Sequence, residues 1–444
     1  MKKVAFYTLG CRLNFSETSA LRRDFKGRKF IVTGFDQKAD IYVINTCSVT
    51  QDANKDCRKM VRRALRTNPN AFVAVTGCYA QLEPKEIAEI EGVSAVLGAK
   101  DKFHLFDLVE SFDKKPNPVI FHTDVNEAVD FHHAFSSGDR TRAFLKVQDG
   151  CDYKCSFCTI PLARGVSRSP EITEIIKNAE KAVSEGFKEI VVTGVNAGDF
   201  GKQHGESFLQ LLRALDEMTE IERIRVSSIE PNLLHDDIIR FAADSRAIQP
   251  HFHIPLQSGS DAMLKFMRRR YNCKLYRDRI SLIRKKIPHA CIGVDVITGH
   301  PGESKQYFEE SKKFIDELPV SYLHVFTYSE RPNTRALSLK PVIPVPERKK
   351  RTAILRRLSA KKRYDFNHRF QNDSRLVLFE EEERDGFIHG WTDNYIRVAV
   401  PYSSSLANSI VKCQLGNLNR SAVFAGKIVS KHRKINQRAW AMHV

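Results

Sequence analysis

Nowhere in its 444 residues does the sequence hold the roughly 18–20 uninterrupted apolar residues that a membrane helix requires. Mean hydropathy is negative. A helical channel or transporter is excluded, and the chain reads as a soluble, cytoplasmic protein with no membrane partner. Cysteine is sparse, ten residues over this length, which excludes a disulfide scaffold and leaves metal-binding or reactive thiols in a reducing compartment. A secretion signal is not expected either. Met1-Lys2-Lys3 and the apolar stretch Val4 to Gly10 have the outline of a lipoprotein leader. That stretch sits at the short limit of about 7–15 residues and reads better as a first strand. Internal repeats and low-complexity tracts are absent. Acidic residues are in deficit: 71 Lys and Arg face 53 Asp and Glu, a net charge of +18, which favours a polyanionic partner, and nucleic acid over a membrane surface because +8 of it lies in one segment, Glu347 to Phe370.

What is present divides into about three domains, since one core rarely serves more than ~100–200 residues. Residues 1–125 carry four β-branched or aromatic runs, Val4 to Thr8, Ile41 to Thr46, Phe72 to Thr76 and Val93 to Leu97, separated by helical segments such as Cys57 to Arg66. This is a parallel α/β unit. After a loop region around Lys114 to Pro118, residues 142–346 carry six more: Phe144 to Val147, Glu189 to Thr193, Arg223 to Ser227, Phe252 to Leu256, Ile292 to Thr298 and Tyr322 to Tyr328. Six strands with intervening helices suggest a curved, open, partial (β/α)6 barrel. Residues 347–371 form a connecting helix in which Glu347 to Phe370 hold ten Lys or Arg and two acids, +8 of the +18. Residues 372–444 turn to short alternating strands, among them Tyr395 to Val400 with Ile396, Val398 and Val400 on one face. They read as a small all-β barrel.

Cys11, Cys47 and Cys78 each follow a predicted strand by one to three residues. Carboxyl ends of parallel strands share one edge, where ligands bind, so three distant thiols can converge there. Any one of them could instead be a small buried packing residue. Gly10 and Gly77 beside them let backbone approach a bulky inorganic group. The second trio is tighter: Cys151-Asp-Tyr-Lys-Cys155-Ser-Phe-Cys158, after the first strand of the second unit. No fourth Cys or His stands at finger-like spacing, which disfavours structural zinc. Three thiolates suit a four-iron cluster with one iron left open.

The Cys151 to Cys158 motif resembles that of the radical S-adenosylmethionine superfamily. The phrases Leu9-Gly10-Cys11-Arg12-Leu13-Asn14, Asn45-Thr46-Cys47-Ser48-Val49-Thr50 and Thr76-Gly77-Cys78-Tyr79-Ala80-Gln81 resemble the methylthiotransferases. The likeness covers essentially the whole chain, and the last barrel looks like an OB-like TRAM domain through Gly390-Trp391-Thr392-Asp393-Asn394-Tyr395-Ile396-Arg397-Val398. Cys11-Arg12-Leu13-Asn14 and Gly77 to Gln81 are similar to the bacterial group that methylthiolates N6-threonylcarbamoyladenosine beside the tRNA anticodon. The sister group acting on isopentenyladenosine has Gln-Met-Asn after the first cysteine, and the group acting on a ribosomal-protein aspartate has Pro-Lys-Asn.

This resemblance implies two four-iron four-sulfur clusters and S-adenosylmethionine as cofactors. One cluster, on Cys151, Cys155 and Cys158, would generate a 5′-deoxyadenosyl radical; the other, on Cys11, Cys47 and Cys78, would deliver the methylthio sulfur. Phe157 lines the adenine side of S-adenosylmethionine or packs under the cluster. Gly194 and Asn196, Ser228 and Glu230, Gln257 and Asp295 end successive strands and are the remaining expected cofactor contacts. Arg12 is expected to hold the threonylcarbamoyl carboxylate, or else local backbone and cluster sulfides, and Arg331 is the second candidate substrate contact. The basic helix and last barrel would track tRNA phosphates. Further implied partners are an electron donor of flavodoxin or ferredoxin type and a sulfur donor; the chain itself would be a monomer. Two phrases depart from the family, Asn333 where Gly is usual and His300 where Phe is usual. Cys57, Cys273, Cys291 and Cys413 match no ligand position and read as packing thiols. The rival outside enzymology is a non-catalytic iron–sulfur RNA-binding or electron-transfer protein, against which the missing fourth cysteine of each site argues.

Overall fold

The structure is a computed structural model in which residues 1–48, 51–114, 116–127, 130–136 and 141–431 are described. Val49-Thr50 of the second cysteine phrase and residues 432–444 of the last unit lie outside them. Strands β1 (Lys3–Thr8), β2 (Ile31–Thr33), β3 (Ile41–Thr46), β4 (Phe72–Gly77), β5 (Ala95–Leu97) and β6 (Val119–Phe121) form one parallel sheet in the order β2-β1-β3-β4-β5-β6. β3 and β4 are buried at every residue because both faces are covered. Tyr42, Ile44, Val73 and Val75 enter one core, Ile41, Val43, Phe72 and Ala74 the other. Four of these strands are the expected ones, β5 starting two residues later. The edge strands β2 and β6 were missed; three residues each and partly exposed, they are too short to show a period.

The second unit contains β7 (Arg142–Lys146), β8 (Glu189–Thr193), β9 (Arg223–Val226), β10 (His251–His253), β11 (Cys291–Thr298) and β12 (Tyr322–Thr327), the six expected runs. They pair in parallel as β7-β8-β9 and β10-β11-β12. A single bridge from Ile224 to Ile248 joins the halves, and among the described residues β12 does not pair with β7. The barrel is therefore open on one side. Leu145, Ile190, Ile224, Ile292 and Leu323 face the surrounding helices in the largest core. Strand alternation turns Arg142, Glu189, Arg225, His251 and Tyr322 to the inside.

The basic helix runs from Val345 to His368, packed on β11 and β12. Its Ser359 Oγ donates to Leu323 O and accepts from Leu323 N–H, both at 2.9 Å. Two of its nine Lys and Arg are spent inside: Arg348 pairs with Glu330 and Arg351 with Glu303. Six others are exposed. Strands β13 (Ser374–Arg384), β14 (Phe387–Thr392), β15 (Arg397–Pro401), β16 (Ile410–Leu418) and β17 (Val423–Lys431) then close into a barrel in the order β13-β14-β15-β17-β16. Its Trp391 to Tyr395 segment docks on the amino ends of β9 and β10. Arg223 Nη2 donates to Leu376 O at 2.8 Å, Arg225 Nη1 to Asp393 O at 3.2 Å, and the Tyr395 ring stacks on His251 at 4.1 Å and Trp391 at 4.4 Å. No helix among the described residues is long and apolar enough to cross a membrane.

Candidate functional site

β1, β3 and β4 are neighbours in one parallel sheet, so their carboxyl ends bring Cys11, Cys47 and Cys78 to one edge. Gly10 and Gly77 are in the left-handed region, with φ of 99° and 98°. A Cβ on Gly10 would stand 2.6 Å from Cys47 Cβ, and one on Gly77 would stand 2.4 Å from Thr46 O. The loops touch, and only glycine permits it. Asn14 fastens them: its Nδ2 donates to Leu9 O at 2.8 Å and to Thr46 O at 2.9 Å.

Between this site and the barrel lies a buried ionic cluster that nothing in the sequence pattern announced. Arg164, from the short Ile160–Arg164 helix just after the tight cysteine motif, donates from Nη1 to Glu17 and Asp149, each at 2.9 Å, and from Nη2 to Asn14 Oδ1 at 2.7 Å. Lys102 pairs with Glu17 at 2.6 Å, Lys146 with Asp149 at 2.8 Å, and Arg168 with Asp149 at 3.1 Å. All six charged groups are buried. Burial works against the Arg164 charge, yet Glu17, then Cys78, Asp149 and Cys11, outweigh it and raise its pKa. Four cations face two carboxylates in these ion pairs. A buried cationic surplus calls for further anions, and cluster-bound thiolates at Cys11 and Cys78 are anions at that place, so the donor set fits an iron–sulfur group.

The tight motif is folded back on itself. Cys151 N–H donates to Gly165 O at 3.0 Å. The N–H groups of Tyr153 and Ile160 point at Cys151 Sγ and Cys158 Sγ, each at 3.4 Å. Arg269, also missed from sequence, donates to Cys155 Sγ at 3.0 Å and is held by Glu230 and by Tyr271 Oη. Burial pushes the Cys151 and Cys158 thiols up to about 12, and the crowding of sulfurs adds to it. A metal that displaces the protons removes that cost.

Three of the expected cofactor contacts meet in one cavity. Phe157, Gln257 and Asp295 line about 240 Å³ beside Cys158, with Ile297, Phe326 and Tyr328. Asp295 Oδ1 lies 2.9 Å from His253 Nε2 and 3.5 Å from His324 Nδ1. Burial would raise its carboxyl, but His253 first and His324 second hold it below the usual carboxylate range. Gly194 and Asn196 follow the end of β8 and do not line this cavity. A Cβ on Gly194 would meet Gln148 Oε1 at 3.0 Å, and Asn196 Oδ1 is buried with no partner while its Nδ2 holds Asp199 at 2.6 Å. Ser228 is half-buried on the loop after β9, and Glu230, on the same loop, is engaged by Arg269.

The two expected substrate residues lie apart. The Arg12 guanidinium sits 5.6 Å from the Phe144 ring, at the open side of the barrel, with no carboxylate partner among the described residues. Arg331 is 5% exposed; its Nη2 reaches Asn54 Oδ1 at 3.3 Å, its Nε has no partner, and Cys47 is among the groups whose charge it feels. His300 is a support under the motif. Its Nδ1 contacts Pro301 O at 2.7 Å, so Nδ1 carries the proton and Nε2 accepts from Ser156 Oγ at 3.0 Å. Asn333 takes φ 62°, the conformation the usual glycine would supply. Cys57, Cys291 and Cys413 are buried in apolar cores, and Cys273 is half-buried at a helix start.

Two family models match the chain: residues 3–98 match a family described as "Uncharacterized protein family UPF0004", and residues 145–315 match the radical SAM superfamily. Over 426 residues the chain is 39% identical to the threonylcarbamoyladenosine tRNA methylthiotransferase MtaB of Bacillus subtilis, covering 94% of each. It is 37% identical over 399 residues to the protein of that name from Aquifex aeolicus, covering 89% of this chain and 96% of that one. Its fold is like that of a radical S-adenosylmethionine methyltransferase, TsrM, from Kitasatospora setae, with a TM-score of 0.57 and 13% identity over 73% of each chain.

Proposed function

The chain belongs to the radical S-adenosylmethionine methylthiotransferases that act on tRNA, and from that premise we propose that it places a methylthio group on C2 of N6-threonylcarbamoyladenosine beside the anticodon. The observation that carries this reading is the pair of three-cysteine sites, on the strand ends of two adjoining sheets, with Arg164 between them. The C2 hydrogen of an adenine is neither acidic nor a leaving group, so side chains alone cannot replace it. When bound, the cluster at Cys151, Cys155 and Cys158 supplies the electron that cleaves S-adenosylmethionine to a 5′-deoxyadenosyl radical, and the cluster at Cys11, Cys47 and Cys78 supplies the sulfur.

The chain's own residues would hold and orient. The free Asn196 Oδ1 suits the ammonium of S-adenosylmethionine, Phe157 with Gln257 and Asp295 its adenosine, and Gly194, Ser228 and Glu230 the opposite rim. Arg12 would bind the threonylcarbamoyl carboxylate, and Arg331, whose Nε is unspent, would contact the substrate elsewhere. The exposed cations of the basic helix, together with the last barrel acting as a TRAM domain, would follow the tRNA backbone. Domain boundaries at 1–125, 142–346, 347–371 and 372–444, a monomeric cytoplasmic enzyme, and a separate electron donor and sulfur donor complete the proposal.

Mass spectrometry of tRNA nucleosides from cells lacking this chain tests it. The methylthio mark on threonylcarbamoyladenosine should vanish and its precursor accumulate; an unchanged profile would overturn the substrate. Replacing Arg12→Gln should shift preference away from threonylcarbamoyl and towards isopentenyl substrates, and unchanged preference would remove Arg12 from the site.

A further inference from the structure

Among the described residues, buried arginines come with acids. Arg164 and Arg168 belong to the ionic cluster, Arg223 and Arg225 share Glu189, Arg348 has Glu330 and Arg351 has Glu303. Arg331 is the exception: 5% exposed, it has no carboxylate within ion-pair distance among the described residues. Its Nη2 donates only to the neutral Asn54 Oδ1 at 3.3 Å, and its Nε has no partner. A turn after β12 fixes its place, Thr334 Oγ1 donating to Arg331 O at 2.7 Å with Asn333 in the left-handed region. A guanidinium stays charged when buried, so it calls for an anion.

The side chain belongs to the second unit, but it faces the first. Asn54 lies on the Gln51–Thr67 helix that follows Cys47. Burial lowers the Arg331 pKa, and of the charges that oppose this Cys47 acts most, ahead of Glu83. Ser48 Oγ, next to Cys47, is a second buried polar atom without a partner. A thiolate held in a cluster at Cys47 is the anion that answers Arg331. The Cys151 site differs, because its own arginine, Arg269, is already paired with Glu230.

We infer that Arg331 is the counter-charge of the cluster at Cys11, Cys47 and Cys78 and sets how readily that cluster takes up an electron. The inference rests on the proposed function, which puts a cluster there. Uptake of one electron makes no bond and breaks none; it adds a negative charge to a group that already carries three thiolates. A buried cation with no acid of its own favours that form and raises the reduction potential. Arg331 is thus a positioning residue, acting through the cluster from the unit that would bind S-adenosylmethionine. A substrate contact through Nε leaves this role intact, since the charge is spread over the whole guanidinium.

The test uses the full chain with both clusters reconstituted anaerobically, as wild type, Arg331→Met and Arg331→Lys. Dithionite titration at controlled potential, followed by electron paramagnetic resonance, reads both clusters, and added S-adenosylmethionine marks the one at Cys151 by changing its signal. In Arg331→Met the reduced-to-oxidised ratio of the other cluster at a fixed potential should fall about tenfold or more, a shift of about 59 mV for one electron. The Cys151 cluster should keep its potential, and Arg331→Lys, which keeps the charge, should stay close to wild type. Urea unfolding of the cluster-free protein should find Arg331→Met no less stable than wild type, because it removes an unanswered charge and strands no acid. An unchanged potential in Arg331→Met would overturn the assignment, and a fall in tRNA affinity alongside it would leave Arg331 a substrate contact alone. An equal fall in Arg331→Lys would also overturn it, tracing the effect to the Asn54 contact rather than to charge. Wild type that takes up half the iron of a two-cluster enzyme, with none at Cys11, Cys47 and Cys78, would instead overturn the proposed function, and this inference with it.

Discussion

Arg164 shows how one side chain can hold two parts of a site. It bridges Asn14 and Glu17 of the first unit to Asp149 of the second, all without solvent. Removing one member of a buried ionic group strands the others, at a cost of about 3–5 kcal/mol. Arg164→Ala should therefore lower unfolding free energy in urea by that amount in the cluster-free protein. Arg63→Ala, which breaks an exposed pair with Asp36, should change it by about 0–1 kcal/mol. The strand-end positions of the cysteines were legible, because strand runs and spacing are properties of sequence. Arg164, Arg269 and His324 were not, since an arginine or histidine between apolar residues looks the same whether it meets a carboxylate, a thiol or water. His300 is the converse case: its departure from the family phrase was visible, but its neutral tautomer and bond to Ser156 needed coordinates.

Elements carry charge in two distinct ways here. Glu189 opens β8 and is buried on the inner side of the barrel against Arg225 at 3.0 Å. Burial would raise its carboxyl, but Arg225 first, then Arg142 and Arg223, lower it from 4.5 to about 2. Because the folded pKa is the lower one, this stabilisation, about 3 kcal/mol, is complete above pH 4.5 and is lost as pH falls towards 2. Acid titration of Glu189→Gln should show a shallower loss of stability across that window than wild type. The Val345–His368 helix spends charge outward. Replacing exposed Lys349, Lys350 and Arg357 with Gln should weaken tRNA binding about tenfold or more and reduce the slope of log affinity against log salt by about 2 to 3. The long strands were readable from their apolar runs, and the helices around Cys57 to Arg66 and Glu347 to Phe370 from their pattern. The short edge strands β2 and β6 and the buried share of the basic helix were not, because pairing and packing decide them rather than pattern.

At the scale of the molecule, the segment Gly390 to Val398 of the last barrel does something the sequence did not suggest: through Trp391, Asp393 and Tyr395 it locks that barrel onto the second unit. Tyr395→Ala should cost about 3 kcal/mol of packing and turn a single calorimetric transition into two as the barrel loosens. The same contact has a consequence for traffic. Tyr395, stacked on His251 with Arg225 5.0 Å from its ring, stoppers the amino end of the open barrel. Small molecules are then left the mouth lined by Phe157 and Gln257 and the open side of the barrel. If tRNA covers that mouth, the open side becomes the remaining exit, and excess tRNA should slow turnover, which initial rates at rising tRNA concentration would check.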